Sequence, residues 1–227
     1  FRSKGGIDRA LNIENAQAKL TGLGHSADDV STIMTSALNA VKGTAYSLGD
    51  AASVAAALSA AGVDSGQQMQ TVLTTVADTA QISGKSLSDV GAIFSSVAAR
   101  GKLQGDDLLQ LTSAGVPVLQ FLSSQLGVTS ADVSDMVSKG QIDFQTFADA
   151  MQAGLGGAAQ AGGQTFQGAL ANVQAALSRL GASVATPALD ALKVLFTGLI
   201  PVIDQVTAAL QPSMDALGPQ LTAAAQA

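Results

Sequence analysis

The apolar residues of this chain change their spacing at a glycine cluster. Before about Gly154 they form short amphipathic stripes, whereas after Gly163 they recur with alternating steps of four and three. Such a heptad is typical of a seam where helix packs on helix. The expected self-association seam consists of Phe166, Leu170, Val173, Leu177, Leu180, Val184, Leu192, Phe196, Leu199, Ile203, Val206 and Leu210. The pattern predicts a helical head over residues 1–155, a glycine-rich join over 156–165 and the start of a coiled-coil shaft over 166–227.

The heptads leave the number of associating chains open. Leu, Phe, Ile and Val are mixed at the seam positions and few charges flank them, so two, three or more strands are all compatible with the pattern. At ~1.5 Å per residue a straight helix over residues 164–227 would extend at most about 95 Å. Prolines would shorten or bend it. They are Pro187, Pro201, Pro212 and Pro219.

Composition narrows the class of protein. The chain has 227 residues, of which 47% are hydrophobic, so it can bury a core, but only 12% are charged and 4% aromatic. Ala, Leu and Val carry the apolar content, which suits closely packed helices. The net charge of -6 argues against binding a nucleic-acid backbone, because such binding needs Lys and Arg to neutralise phosphates. The absence of Cys excludes disulfides and thiolate chemistry.

The sequence predicts no membrane span. Its longest strongly apolar stretch, residues 194–203, has about half of the ~20 residues that a spanning helix needs, and Pro201 interrupts it. Residues 150–178 are also free of charge but rich in Gly, Ala and Gln, which is typical of either a small-residue packing stretch or a flexible join. Because the chain begins with Phe1 and no signal-like segment, we expect it to be part of a longer protein.

Repeated caps mark the helices of the head. Four hydroxyl residues each precede an aspartate by three positions, the spacing at which both side chains can bind free amides at a helix start. These pairs are Ser26 with Asp29, Ser47 with Asp50, Ser86 with Asp89 and Thr129 with Asp132. Glycines at the expected helix ends are Gly43, Gly62, Gly84, Gly101, Gly127, Gly140 and Gly154, and Pro117 suits a first helical turn. With no alternating strand pattern, the head is predicted to be all-α.

One short string partly matches the motif of a phosphate-binding loop. Gly84, Lys85 and Ser86 match the end of that motif, but Thr79 stands where the motif requires glycine, and a helix rather than a strand precedes the string. A helix end followed by a Ser cap explains these residues, so nucleotide binding is not predicted.

Other candidate chemistry also has a structural explanation. Asp106 and Asp107 could form a carboxylate pair for a metal or for acid–base work, but two acids in a first helical turn are more simply partners of the helix dipole. His25 is the only histidine and precedes a cap, which favours a loop residue over a ligand or general base. We therefore predict no catalytic residue, no metal site and no cofactor, and the chain is not expected to be an enzyme.

Several strings resemble a known family. They are VKGTAYSLGDAASVAAALSAAGV from Val41, TVADTAQISGKSLSDVGAIFSSVAARGKLQGDDLLQLTSAGVPVLQFLSSQLGV from Thr75 and SKGQIDFQTFADAM from Ser138. They are similar to the domain near the front of tape measure proteins from long-tailed bacteriophages and prophages. GGAAQAGGQTFQGALANVQAALSRLGA from Gly156 resembles the exit of that domain. The resemblance covers roughly residues 7–182.

The resemblance implies a structural role in tail assembly. Proteins of this family lie extended inside the tail tube, several copies together, and tube subunits polymerise around them, so that the tape sets the tail length. The resemblance implies tail tube protein and tail assembly chaperones as partners, and a homo-oligomer for which the family favours a trimer. It also implies synthesis in the host cytoplasm, a place in the tube lumen of the virion and ejection ahead of the DNA. Since 95 Å is far too short for a tail, most of the ruler is expected beyond this sequence.

Two turns that recur in the family are candidates for partner contact. Tyr46 could take part, as could Phe144, Phe147 and Met151, although their spacing better suits packing between helix ends. The candidate partner-contact residues of the two turns are Lys42, Thr44, Tyr46, Lys102, Gln104, Asp106 and Asp107.

Two other functions fit the sequence less well. A helical membrane-active or secreted interaction module could use residues 189–210, but only Lys193 is available there to meet anionic lipid, so membrane contact is not supported. A cell-wall hydrolase needs a convergent acid, base or metal cluster, which isolated caps do not supply.

Overall fold

The structure, a computed structural model, describes residues 4–163, and their side chains from residue 10. The chain divides into two units, Phe1–Ala182 and Ser183–Ala227, and every described residue belongs to the first. All seam residues, from Phe166 to Leu210, lie outside the described part. Within it are ten α-helices: α1 Lys4–Gly22, α2 Ala27–Val41, α3 Leu48–Ala60, α4 Gln67–Ser83, α5 Leu87–Arg100, α6 Gly105–Ser113, α7 Val118–Leu126, α8 Ser130–Ser138, α9 Phe144–Leu155 and α10 Ala158–Gly163. These residues contain no strand, which confirms the all-α prediction.

The four predicted caps are confirmed. Ser26, Ser47, Ser86 and Thr129 are the N-cap residues of α2, α3, α5 and α8, and each hydroxyl accepts a hydrogen bond from the backbone N–H of the aspartate three residues later. Because both partners lie within one helical turn, the sequence alone determines these bonds. Each helix of this set therefore begins where the sequence predicts.

Six of the seven glycines predicted at helix ends lie at or directly after one, all except Gly154. Gly84, Gly101 and Gly127 are C-cap residues with a left-handed backbone, which glycine adopts without strain. The string Gly84, Lys85 and Ser86 is thus a helix end followed by a cap, as predicted.

The prediction for Gly154 is wrong. Gly154 lies inside α9, which ends at Leu155 with Gly156 as its C-cap. Its role is to let another helix approach, because a Cβ atom on Gly154 would lie only 2.4 Å from the Phe121 ring of α7. Pro117 also differs from expectation: its ψ of 65° is not helical, so it is the N-cap of α7 rather than a first-turn residue.

Helix α3 lies at the centre of one half of the head. It packs against α1, α2 and α5, and four of its alanines are fully buried: Ala51, Ala52, Ala55 and Ala56. Small side chains let the surrounding helices come close. At the contact with α5, a Cβ atom on Gly91 would lie 2.6 Å from a methyl group of Val54.

The other half of the core joins α4, α5, α7 and α9. Phe94 of α5 and Phe147 of α9 are fully buried, with ring centroids 4.9 Å apart and a tilt of 47°. Met151 is buried in the same core, and Phe144 and Tyr46 pack partly buried against it. The interpretation of these residues as packing residues is therefore confirmed.

The N-cap of α9 provides a test of the local structure. The Asp143 carboxylate accepts a hydrogen bond of 2.7 Å from the Thr146 backbone N–H, and this bond lowers the pKa of Asp143. Asp143→Ala is expected to lower the free energy of unfolding by about 1 kcal/mol at neutral pH, since the cap acceptor is lost. Urea unfolding followed by circular dichroism measures the change.

The same cap should be sensitive to acid. Because the folded pKa of Asp143 lies below the unfolded value of about 4, its contribution to stability is present above that value and is lost as the pH falls through the folded pKa. Asp143→Asn keeps an acceptor without a charge. We therefore expect the Asn variant to retain stability at neutral pH and to lose less stability than the native chain on acidification. An acid dependence equal to that of the native chain would contradict a charged cap at Asp143.

Candidate partner-contact turns

The first candidate turn connects α2 to α3. Lys42 is exposed, and its carbonyl oxygen accepts a 2.7 Å hydrogen bond from the Gln160 side chain of α10. Thr44 is fully buried: its hydroxyl donates to the Val41 carbonyl at 2.7 Å and accepts from the Tyr46 N–H at 3.2 Å. The turn is thus held from inside by Thr44 and from outside by α10.

A buried carboxylate lies close to this turn. Asp78 of α4 is only 2% exposed, and it accepts hydrogen bonds from the backbone N–H groups of Gly157 at 3.2 Å and Ala159 at 2.8 Å. Burial raises the pKa of Asp78, against the lowering effect of the two N–H donors. Burial, together with the nearby Asp78 charge, raises the pKa of Tyr46 to about 12. The sequence analysis did not single out Asp78. The signal that could have revealed it is an acidic residue among the apolar positions that α4 buries.

The second candidate turn connects α5 to α6 and is organised by Arg100. Its guanidinium contacts Asp107 at 3.1 Å and Asp106 at 3.4 Å, and it donates to Gln104 at 2.5 Å and to Ser96 at 2.6 Å. These short-range contacts fold the turn back onto the end of α5.

Asp107 is the structural member of the acidic pair. Its side chain is 2% exposed and accepts a 3.2 Å hydrogen bond from the Gln104 N–H, completing the capping box of α6. Burial raises the pKa of Asp107, whereas the Gln104 N–H and Arg100 lower it. Asp106, in contrast, is 62% exposed. The pair is therefore a helix start, as predicted, with one buried acid and one exposed acid.

The loop between α8 and α9 supports the second turn. Leu103 donates a 2.8 Å backbone hydrogen bond to Ile142, and Lys102 pairs with Asp143 in an isolated antiparallel bridge. The aliphatic part of Lys102 lies against Gly140, where an added Cβ atom would come within 3.0 Å of it. The turn thus has a fixed backbone on which Lys102 remains exposed.

The seven candidate residues differ in their access to a partner. Lys42, Lys102 and Asp106 are exposed, and Tyr46 and Gln104 are half-buried. Thr44 and Asp107 are buried and hydrogen-bonded within the protein, so a partner would not touch their side chains. Contact between the accessible residues and a partner stays a prediction.

The remaining candidate sites resolve into structural roles. His25 lies in the turn between α1 and α2, with Nε2 2.7 Å from the Ser59 hydroxyl. Over the described residues, no group of three or more His, Asp or Glu side chains could hold a metal ion. Among the helices of residues 4–163, none is long and apolar enough to cross a membrane.

Comparison with known proteins identifies a family. The family model described as "Tape measure protein" matches residues 4–186 of the chain. No curated protein and no solved structure matches the chain significantly.

Proposed function

Because the chain belongs to the tape measure protein family, whose members act in determining the length of bacteriophage tails, we propose that it is a segment of the ruler inside a tail tube. The match over residues 4–186 is the observation that carries this proposal, and it confirms the family resemblance. The family is structural rather than catalytic, and its place is the phage tail. The buried acids of the head agree with a structural role, because the carboxylates of Asp78 and Asp107 accept hydrogen bonds from backbone amides.

We propose that several chains lie side by side in the tube lumen. The heptad of residues 166–210 supports this arrangement, because a self-complementary apolar seam allows parallel helices to associate within a narrow space. Three copies is the number that we propose from the family. In this scheme the tape is made in the host cytoplasm, tube subunits polymerise around it, and it leaves the tube ahead of the DNA.

We propose further that the two turns meet the tape's assembly partners. Their accessible side chains are polar and their backbones are fixed by Thr44 on one side and by Arg100 and Asp107 on the other. A rigid, polar turn suits recognition of a protein partner, since little conformational freedom is lost on binding. The proposed partners are the tail tube protein and, before tube growth, a tail assembly chaperone.

Tail length tests the ruler directly. In the phage that encodes the chain, removal of the 35 residues 188–222 is expected to shorten the tail by about 50 Å, since an α-helix rises ~1.5 Å per residue. Electron microscopy of negatively stained virions measures this difference when many tails are averaged.

A matched replacement separates length from sequence. Substituting the same segment with an unrelated heptad sequence of equal length should restore the original tail length. Tails of unchanged length in the deletion would contradict the ruler proposal, whereas absence of tails in both variants would show that these residues serve assembly rather than measurement.

A further inference from the structure

The last described helix depends on the rest of the head for its structure. The described residues of α10, Ala158–Gly163, pack against α4, and Ala159 and Gly163 are buried. Their side chains are small, so each buries little apolar area. Polar contacts are therefore important in holding these residues on the head.

Polar contacts hold the start of α10 on the head. Asp78 accepts from the Gly157 and Ala159 N–H groups, at the start of the helix, and the Gln160 side chain donates to the Lys42 carbonyl. Gly162 lies so close to α4 that an added Cβ atom would be 2.3 Å from Gln81. The carboxylate binding two amides is the only charged group among these contacts.

We propose that residues 157–163 form a strap which Asp78 clasps onto the head, and that the strap opens as a unit while α1–α9 stay folded. Closing the strap binds the carboxylate to two amides but removes it from water, and these two effects oppose each other. Opening returns both the carboxylate and the amides to water. Gly156 lies directly before the strap and Gly157 is its first residue, with a φ of +86° that glycine adopts without strain, so we place the hinge of the strap at these two residues.

The clasp controls the first stretch of chain after α9. The strap follows α9 directly in sequence and lies within the unit Phe1–Ala182. An open strap frees this stretch from α4 without any change in the core around Phe94. The inference concerns the chain itself and holds whether or not the chain measures tail length.

Hydrogen–deuterium exchange of the full chain tests the clasp. Asp78→Ala removes both acceptors and is expected to speed exchange of the amides in residues 157–163 by about tenfold or more, the effect of losing one to two hydrogen bonds. Amides of α3 and α5 should exchange at the native rate. Asp149→Ala is the matched control, because this half-buried acid of α9 accepts a hydrogen bond from the Gln145 side chain and not from the strap amides.

A second variant changes a residue of the strap itself. Gln160→Ala removes the contact to Lys42 without disturbing the core, and a smaller acceleration confined to residues 157–163 is expected. In the native chain at low denaturant, these same amides should open at a lower free energy than those of α3. Unchanged exchange of the strap in both variants, or exchange of the strap in step with α3 and α5, would overturn the proposal.

Discussion

Replacement of Phe94 by alanine is expected to lower the free energy of unfolding by about 3–5 kcal/mol. Phe94 is fully buried and its ring packs 4.9 Å from that of Phe147, so truncation removes apolar contacts from both α5 and α9 and leaves a cavity. Since whole domains are stable by only about 5–15 kcal/mol, this single change removes a large share. Urea unfolding of the full chain, followed by circular dichroism at 222 nm, measures it.

Two controls make this expectation specific. Phe94→Leu keeps most of the apolar volume and should cost clearly less than Phe94→Ala. Leu109→Ala removes a side chain that is 65% exposed and should change the stability by less than about 0.5 kcal/mol. Equal effects of Phe94→Ala and Leu109→Ala would mean that the core is not built around the aromatic pair.

The sequence predicts the helices of the head well because their ends are local. At Ser47 the cap, its aspartate and the amide that they satisfy lie within four residues, so no distant part of the fold is needed to place them. The same is true of the left-handed glycine at Gly101. Family membership was likewise readable, because the turns that carry the resemblance are short continuous strings.

Contacts between distant residues could not be predicted in this way. Asp78 binds amides 79 and 81 positions away, so nothing near it in sequence shows that its charge has partners. Thr44 and Asp107 look like exposed turn residues, yet the packing of neighbouring elements buries them. Gly154 has the residue type of a helix end, and only the approach of Phe121, a tertiary contact, shows its actual role.

The second large effect on stability is expected for a substitution of Gly91, where α5 packs against α3. Gly91→Ala replaces a helical glycine with the best helix former, which in an open site stabilises a protein by up to about 1 kcal/mol. Here the new Cβ atom would lie 2.6 and 2.7 Å from the two methyl groups of Val54, so α3 and α5 must separate. We expect a net destabilisation of about 1–3 kcal/mol in urea unfolding. Gly105→Ala is the control, since nothing lies within 4 Å of its added Cβ atom.

Removal of the opposing methyl groups should largely cancel the effect of Gly91→Ala. In a Val54→Ala background the nearest remaining Val54 atom is the Cβ at 3.2 Å, a distance that a small helix shift can relieve. The cost of Gly91→Ala is then expected to fall by at least about 1 kcal/mol, within the coupling range of side chains in direct contact. Additive effects of the two substitutions would contradict a direct contact. The sign of the effect at Gly91 thus distinguishes a glycine kept for helix packing from one kept for backbone freedom, a distinction that residue type alone does not make.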